Sequence, residues 1–373
     1  MKKCIIIRSN DLDRDTRVPK LATALSDKYK VSFLGWNREG NRGVSITKIT
    51  LPEQHMFNMR APFGKKVLLF LPFWWLFILT WLLRNEWDVV HVINFDSAVP
   101  AIVASKIKSK KVIYEILDTY EDSTVFPGWI RGLLIVIDKF FISKSDAIIL
   151  ADDEQIQEFG GIPNRTVIAV YDSPPDLLQR RNDRMIDRST LQIFYAGVLF
   201  RDRRLNVDKM IEAVADLENV KLIIAGYGDL VDTIKDFEEK MPNKIQYIGK
   251  LSYEDALEKL SSSDLGFVLR EPIVPINKYI CGSTLLNAMM CGKPLIVNKG
   301  TSTAKKVLDA NCGIVVDANN VEEIRKALIL LRENPELREQ LGNNARIAYE
   351  ENYSLDQMNN KLTTLYENVI RSG

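Results

Sequence analysis

Histidine is nearly missing from this chain: His55 and His91 are the only two in 373 residues. A mechanism built on a histidine cluster, for metal binding or for relayed proton transfer, has almost nothing to draw on. Cysteine is scarce as well. Cys4, Cys281, Cys291 and Cys312 form no C-x-x-C pair, which argues against structural zinc and reads as reduced thiols in a cytoplasmic protein. An excess of either charge is lacking, since 50 Lys and Arg against 49 Asp and Glu leave a formal net charge of +1. With no block of basic residues either, nucleic acid is not an expected partner. The apolar run behind Met1-Lys2-Lys3 is too short for a signal peptide and reads as a first buried strand. Internal repeats and low-complexity tracts are absent.

What is present is alternation. Short apolar runs at 4–7, 31–34, 89–93, 112–114, 147–150 and 167–170 are separated by helical patterns, and a second series follows at 192–196, 221–225, 245–248, 265–268, 295–297 and 313–315. Such strands between helices predict parallel sheets covered on both faces. Two series, in a chain longer than the roughly 150 residues of one average domain, predict two doubly wound α/β domains. The linker falls at Tyr171-Asp172-Ser173-Pro174-Pro175 and the charged stretch after it. Ligands of such sheets lie beyond the carboxyl ends of the strands, so the expected site is a cleft between the domains.

One long apolar run stands out, VLLFLPFWWLFILTWLL at Val67–Leu83, flanked by Lys65, Lys66 and Arg84. It is at the short limit for a bilayer span of roughly 17–25 residues. Strands expected on both sides of it belong to one sheet, which rules out spanning. Two readings remain. Segment 65–84 lies in a membrane interface, with Trp74, Trp75 and Trp81 at headgroup depth and Lys65 and Lys66 on lipid phosphates. Alternatively it is a buried helix or a surface for a partner chain. The stretch Gly128–Lys144 either extends that surface or is a core helix.

Late in the chain, Gly282-Ser283-Thr284-Leu285-Leu286-Asn287-Ala288-Met289-Met290-Cys291-Gly292-Lys293-Pro294 reads as a glycine, a short helix and a stop before a buried strand. Gly282 lets backbone approach a ligand, and Ser283 and Thr284 are N-cap residue types. Gly292 and Pro294 end the helix. Free N–H groups at its start suit a phosphate. Its late position argues for a nucleotide held by the second domain rather than for an ordinary dinucleotide fingerprint at the first strand.

Several of these stretches together resemble the retaining nucleotide-sugar glycosyltransferases of family 4, in their bacterial and archaeal forms. Arg14-Asp15-Thr16-Arg17-Val18-Pro19-Lys20 is similar to the family's D-x-R-V opening, and Trp87-Asp88-Val89-Val90-His91 to its D-V-V-H strand. Tyr195-Ala196-Gly197 with the basic loop 201–204 resembles the start of the donor domain. Ala225-Gly226-Tyr227-Gly228 resembles the A-G-x-G turn, Tyr247-Ile248-Gly249 the nucleobase-bordering strand end, and 287–297 the E-A-M-A-x-G-x-P-V-I block. The resemblance implies the GT-B fold, two Rossmann-like domains facing a central cleft. Residues 1–175 would form the acceptor-side domain, 176–352 the donor-binding domain, and 353–373 a helix crossing back to the first.

It also implies a site. Donor contacts would come from Gly197, Arg201, Arg203, Arg204, Gly226, Tyr247, Ile248, Lys278, Tyr279, Gly282, Ser283, Thr284, Leu285 and Asn287. Asp118 and His91 would be catalytic, and Asn10, Arg14 and Arg17 would meet the acceptor. Several have a plainer reading: a solvated basic loop at 201–204, a loop cation at Lys278, a helix cap at Asp118, a buried hydrogen-bonded His91, a surface ion pair at Arg14 and Arg17. The chain departs from the family where Tyr279 and Asn287 replace two glutamates and Leu117 replaces a histidine. The expected activity is transfer of a sugar from a nucleoside-diphosphate sugar to a lipid-linked or cell-surface glycan, with retention, without a metal or other cofactor. The expected location is the inner face of the cell membrane, as a peripheral protein. The alternatives are an inactive GT-B partner of an active transferase and a soluble sugar-nucleotide epimerase.

Overall fold

The computed structural model describes residues 1–10, 15, 17–38, 53–62, 64–117, 128–162, 166–177 and 190–371. Contacts divide the chain into two compact units, the first made of 1–172 with 358–373 and the second of 173–357. In the first, β1 (Lys2–Arg8), β2 (Tyr29–Asn37), β3 (Gln54–Asn58), β4 (Val89–Ile93), β5 (Lys111–Ile116), β6 (Ala147–Leu150) and β7 (Thr166–Ala169) form one sheet in the order β3-β2-β1-β4-β5-β6-β7. Every neighbouring pair is parallel. In the second, β8 (Leu191–Val198), β9 (Val220–Tyr227), β10 (Ile245–Tyr247), β11 (Leu265–Val268), β12 (Leu295–Asn298) and β13 (Gly313–Val316) form another parallel sheet, β10-β9-β8-β11-β12-β13. Each is doubly wound, with its order reversing between β1 and β4 in one and between β8 and β11 in the other. The α/β expectation holds, and β3 is the strand it lacked.

Helix α1 (Arg17–Leu25) follows β1, α2 (Leu71–Arg84) precedes β4, α3 (Phe95–Lys108) follows it, and α4 (Gly128–Lys144) follows β5. The apolar run is thus a 3-10 turn, Gly64–Leu69, leading into α2. No described helix is long and apolar enough to cross a membrane. Trp74 corrects the interfacial assignment: it is fully buried, stacked on Trp36 and Phe77, with its Nε1 donating to Ser97 Oγ at 3.2 Å. Trp75 is half-buried and donates to the Asp96 carbonyl at 2.8 Å, and half-buried Trp81 packs against the His55 ring. The indoles of Trp74 and Trp75 turn inward because their N–H groups find protein acceptors there. Other side chains face out instead. Leu69, Phe73, Leu76 and Leu83 are exposed on the turn and on α2, and Trp129, Leu133, Val136 and Phe140 on α4. The last four recur at helical spacing, one stripe along one face. Lys66 lies exposed beside the first group; the Lys65 side chain is outside the described residues.

Candidate functional site

Ligands of a doubly wound sheet sit where the strand order reverses. In the first unit that point lies at the ends of β1 and β4, at 8–10 and 94–96. Asn94 carries a positive φ of 63°, uncommon for a residue with a side chain. Its Oδ1 accepts from the Leu117 amide at 2.9 Å, which ties the end of β5 to the end of β4. Asp96 opens α3, and its carboxylate accepts from the Ser9 hydroxyl. Burial raises the pKa of Asp96, against the pull of the Ser9 bond and of Arg38 at 3.7 Å. Asn10 is half-buried there, with its amide reaching Asp15 Oδ2 at 3.4 Å. Asp15 is a buried cap: its Oδ1 accepts from the amides of Arg17 and Val18 at 2.8 and 2.9 Å. Ser9, Asn94 and Asp96 escaped the sequence reading because what marks them, the switch point, is a property of strand order. Arg14 and Asp118 lie outside the described residues.

Two expectations in this unit are corrected. Arg17 does not wait for an acceptor phosphate. It is buried, its Nε donates to Glu115 Oε1 at 2.8 Å, and its terminal nitrogens donate to the carbonyls of Val170 and Tyr171 at 2.8 and 3.1 Å. His91 does not face a ligand either. It has no exposed surface; Nε2 is 2.9 Å from Glu115 Oε2 and Nδ1 is 2.8 Å from the Tyr366 hydroxyl. Burial would push the Glu115 carboxyl up, but Arg17 and the His91 bond hold it at about 2. An ionised carboxylate only accepts, so His91 Nε2 donates to Glu115. Tyr366 lies on the last helix, Leu355–Arg371. The group is a structural tie between α1, β4, β5 and that helix.

In the second unit the switch point lies at the ends of β8 and β11. Gly226 and Gly228 explain why the chain can pack there. Both have strongly positive φ, 145° and 149°, and a Cβ would meet the Gly197 carbonyl oxygen at 2.0 Å and that of Leu199 at 2.3 Å. Their bareness therefore serves the close packing of β9 on β8. Arg201 donates to Thr233 Oγ1 at 2.8 Å while Arg203 and Arg204 stay exposed. The loop is pinned by its backbone: Asn277 Nδ2 donates to the Arg203 carbonyl at 3.2 Å, and the Glu271 amide to the Arg204 carbonyl at 3.0 Å. Tyr247 donates its hydroxyl to the Gly226 carbonyl at 2.8 Å, and the Ile248 amide bonds back to Ile224. Lys278 is exposed over the ring of half-buried Tyr279.

The helix Ser283–Met290 begins as the sequence suggests, with one correction. Its N-cap is Gly282, with no side-chain cap bond, and Ser283 is already helical. Ser283 is exposed, Thr284 half-buried, and Leu285 is a core residue whose amide bonds the Gly282 carbonyl at 3.1 Å. Gly282 has ordinary extended backbone, so it is space rather than φ that a glycine provides there. Asn287 Oδ1 accepts from the Tyr253 hydroxyl at 2.9 Å, which leaves its amide N–H groups to donate to a ligand. Tyr253 was invisible in the sequence, 34 positions away.

Two Rossmann-like parallel-sheet units in this order define the GT-B class of fold. An Anabaena protein, HepE, solved in complex with UDP and glucose, superposes with a TM-score of 0.72 over 99% of this chain and 100% of its own at 14% identity. Residues 180–348 match the family described as glycosyl transferases group 1. An uncharacterised glycosyltransferase of Methanocaldococcus jannaschii is 28% identical over 192 residues, 49% of this chain and 46% of that protein. A GDP-mannose-dependent monoacylated alpha-(1-6)-phosphatidylinositol monomannoside mannosyltransferase of Corynebacterium glutamicum is 24% identical over 44% of this chain and 43% of its own length. The chain thus spans about half the length of these curated relatives. The chain therefore has the fold of the GT-B glycosyltransferases, and through residues 180–348 it is similar to those of the family 4 type.

Proposed function

We propose that this protein transfers a sugar from a nucleoside-diphosphate sugar to a hydroxyl of a lipid-linked glycan precursor at a membrane surface, with retention and without a metal. The observation that carries the donor half is the second unit's switch point. There a basic loop, a bare helix N-cap and the amide of Asn287 belong to a group 1 glycosyltransferase domain. The HepE complex with UDP and the GDP-mannose-dependent relative support a nucleotide donor without choosing its base. Chemically, departure of the diphosphate needs cations and N–H donors aimed at the developing charge. In a retaining transfer the leaving phosphate itself takes the acceptor proton on the same face, so no protein base is required. Two apolar stripes, on α2 and α4, support the membrane half. Asp138 is the one carboxylate in the sequences of these two helices. It accepts from the Tyr114 hydroxyl at 2.8 Å, and burial pushes it up to about 7. Among the described residues of the turn, α2 and α4, the exposed charges beside the stripes are Lys66, Arg84, Lys139 and Lys144, which suits anionic headgroups.

One observation favours a second reading, an inactive partner of another transferase: Tyr279 and Asn287 stand where the family resemblance calls for glutamates, and the Asn287 carbonyl is already engaged by Tyr253. A thermal-shift panel of UDP, GDP, CDP and ADP, each with and without magnesium, followed by release of the diphosphate from the matching sugar nucleotide, separates the two. A ligand at 100 times its dissociation constant adds about 2.7 kcal/mol, a shift of a few degrees. Stabilisation by one diphosphate without magnesium, together with turnover, is expected. Stabilisation without turnover favours the partner; no response to any diphosphate removes the donor reading.

A further inference from the structure

Arg270 follows β11, at the same switch point as the 201–204 loop, and no motif in the sequence marks it. Its backbone is fixed. It bridges antiparallel to Leu205, its carbonyl accepts from Asn298 Nδ2 at 2.9 Å, and the next amide bonds Arg204. Its side chain is fixed by nothing comparable. Nε is buried without an acceptor, and the guanidinium makes no hydrogen bond or ion pair among the described residues. Arginine carries five N–H donors and a charge that stays on, so a partly buried, unpaired guanidinium is costly to keep. Its direction is informative. Nη1 lies 3.7 Å from the point a Cβ on Gly282 would occupy, against the N-cap of the helix Ser283–Met290. A guanidinium facing the positive end of a helix is unfavourable until an anion joins them.

We propose that Arg270 is a diphosphate-binding residue of the donor site, acting with the first amides of that helix. The proposal rests on the nucleotide-sugar reading above. The planar fork of the guanidinium suits two phosphate oxygens at once, and it is freer for that task than Arg201, which is spent on Thr233. Gly282 then leaves open the space that the phosphate fills. As the bond to the sugar breaks, charge grows on the diphosphate, so Arg270 contributes more to the transition state than to ground-state binding.

The test is calorimetry on the full chain with UDP, GDP, CDP and ADP and with the four matching nucleosides, for the natural protein, Arg270→Gln and Arg270→Lys. For the diphosphate that binds, Arg270→Gln should lose about tenfold or more in affinity while nucleoside affinity stays within about twofold, and Arg270→Lys should recover part of the loss. Unchanged diphosphate affinity in Arg270→Gln overturns the proposal. So does a parallel loss for diphosphate and nucleoside, which would make Arg270 structural. Absence of any diphosphate binding by the natural protein is a different result, read without a variant; it removes the donor reading and Arg270's role with it.

Discussion

Glu115 shows what a single buried charge does in this protein. It is bonded to Arg17 and His91 and has no exposed surface. Glu115→Gln should leave Arg17 buried with a neutral partner and cost roughly 3–5 kcal/mol, readable in urea titration. The pH dependence has a definite sign. The folded carboxyl titrates at about 2 against an ordinary 4.5, so its contribution is complete above 4.5 and is lost as pH falls toward 2. The natural protein should therefore lose stability across that window, and Glu115→Gln should lose less of it. A steeper acid loss in the variant would contradict the assignment. At this scale the sequence is only half legible. His91 and Arg17 are visibly chemical residue types, but Glu115 lies 98 positions from Arg17, and Tyr366 lies 275 from His91. What separates a catalytic histidine from a tethering one is the partner, and only strand order supplies the partner.

Helices α2 and α4 carry the membrane reading at the next scale. Phe73→Ser with Leu76→Ser, or Trp129→Ser with Phe140→Ser, should release the protein from anionic vesicles in flotation. Each such side chain is worth about 1.5–3 kcal/mol when taken out of water. Trp74→Ser should instead lower the melting temperature and leave vesicle binding of the folded fraction intact. Serine pairs that still float with the vesicles would assign the stripes another occupant. The sequence could mark 65–84 as apolar but not orient it, because a helix apolar all round has no pattern from which to read a face. In α4, by contrast, the stripe 129, 133, 136, 140 was available as spacing. The missed strand β3 has a different cause. Its sequence Gln54-His55-Met56-Phe57-Asn58 is short, has polar ends and lies at the sheet edge. An edge strand needs little apolar patterning to pair.

Across the whole molecule the fold was the most legible part, because twelve of the strands announce themselves by apolar runs between helices. The chemistry was less so, since Arg270 sits among ordinary residues and gains meaning only beside Gly282. The last helix, Leu355–Arg371, closes the first unit. Met358, Leu362, Leu365, Tyr366 and Val369 are buried, and residues 358–373 belong with 1–172. Removing 358–373 should strip Tyr366 from His91 and expose the β1 side of the first core, so that the first unit melts earlier than the second in calorimetry. A shortened chain with an unchanged first transition would show that the helix is dispensable.

The discontinuity of that first unit also bears on how the protein is made. Ribosomes release the chain from one end, at roughly 5–20 residues per second. Between Asp172 and Met358 lie 185 residues, so the partly built first sheet waits on the order of ten to forty seconds for its closing helix. During that interval the surface meant for Tyr366 and Leu362 is open to chaperones and to other nascent chains. The second unit is contiguous and can complete itself first, so the half of the molecule synthesised first is the half finished last.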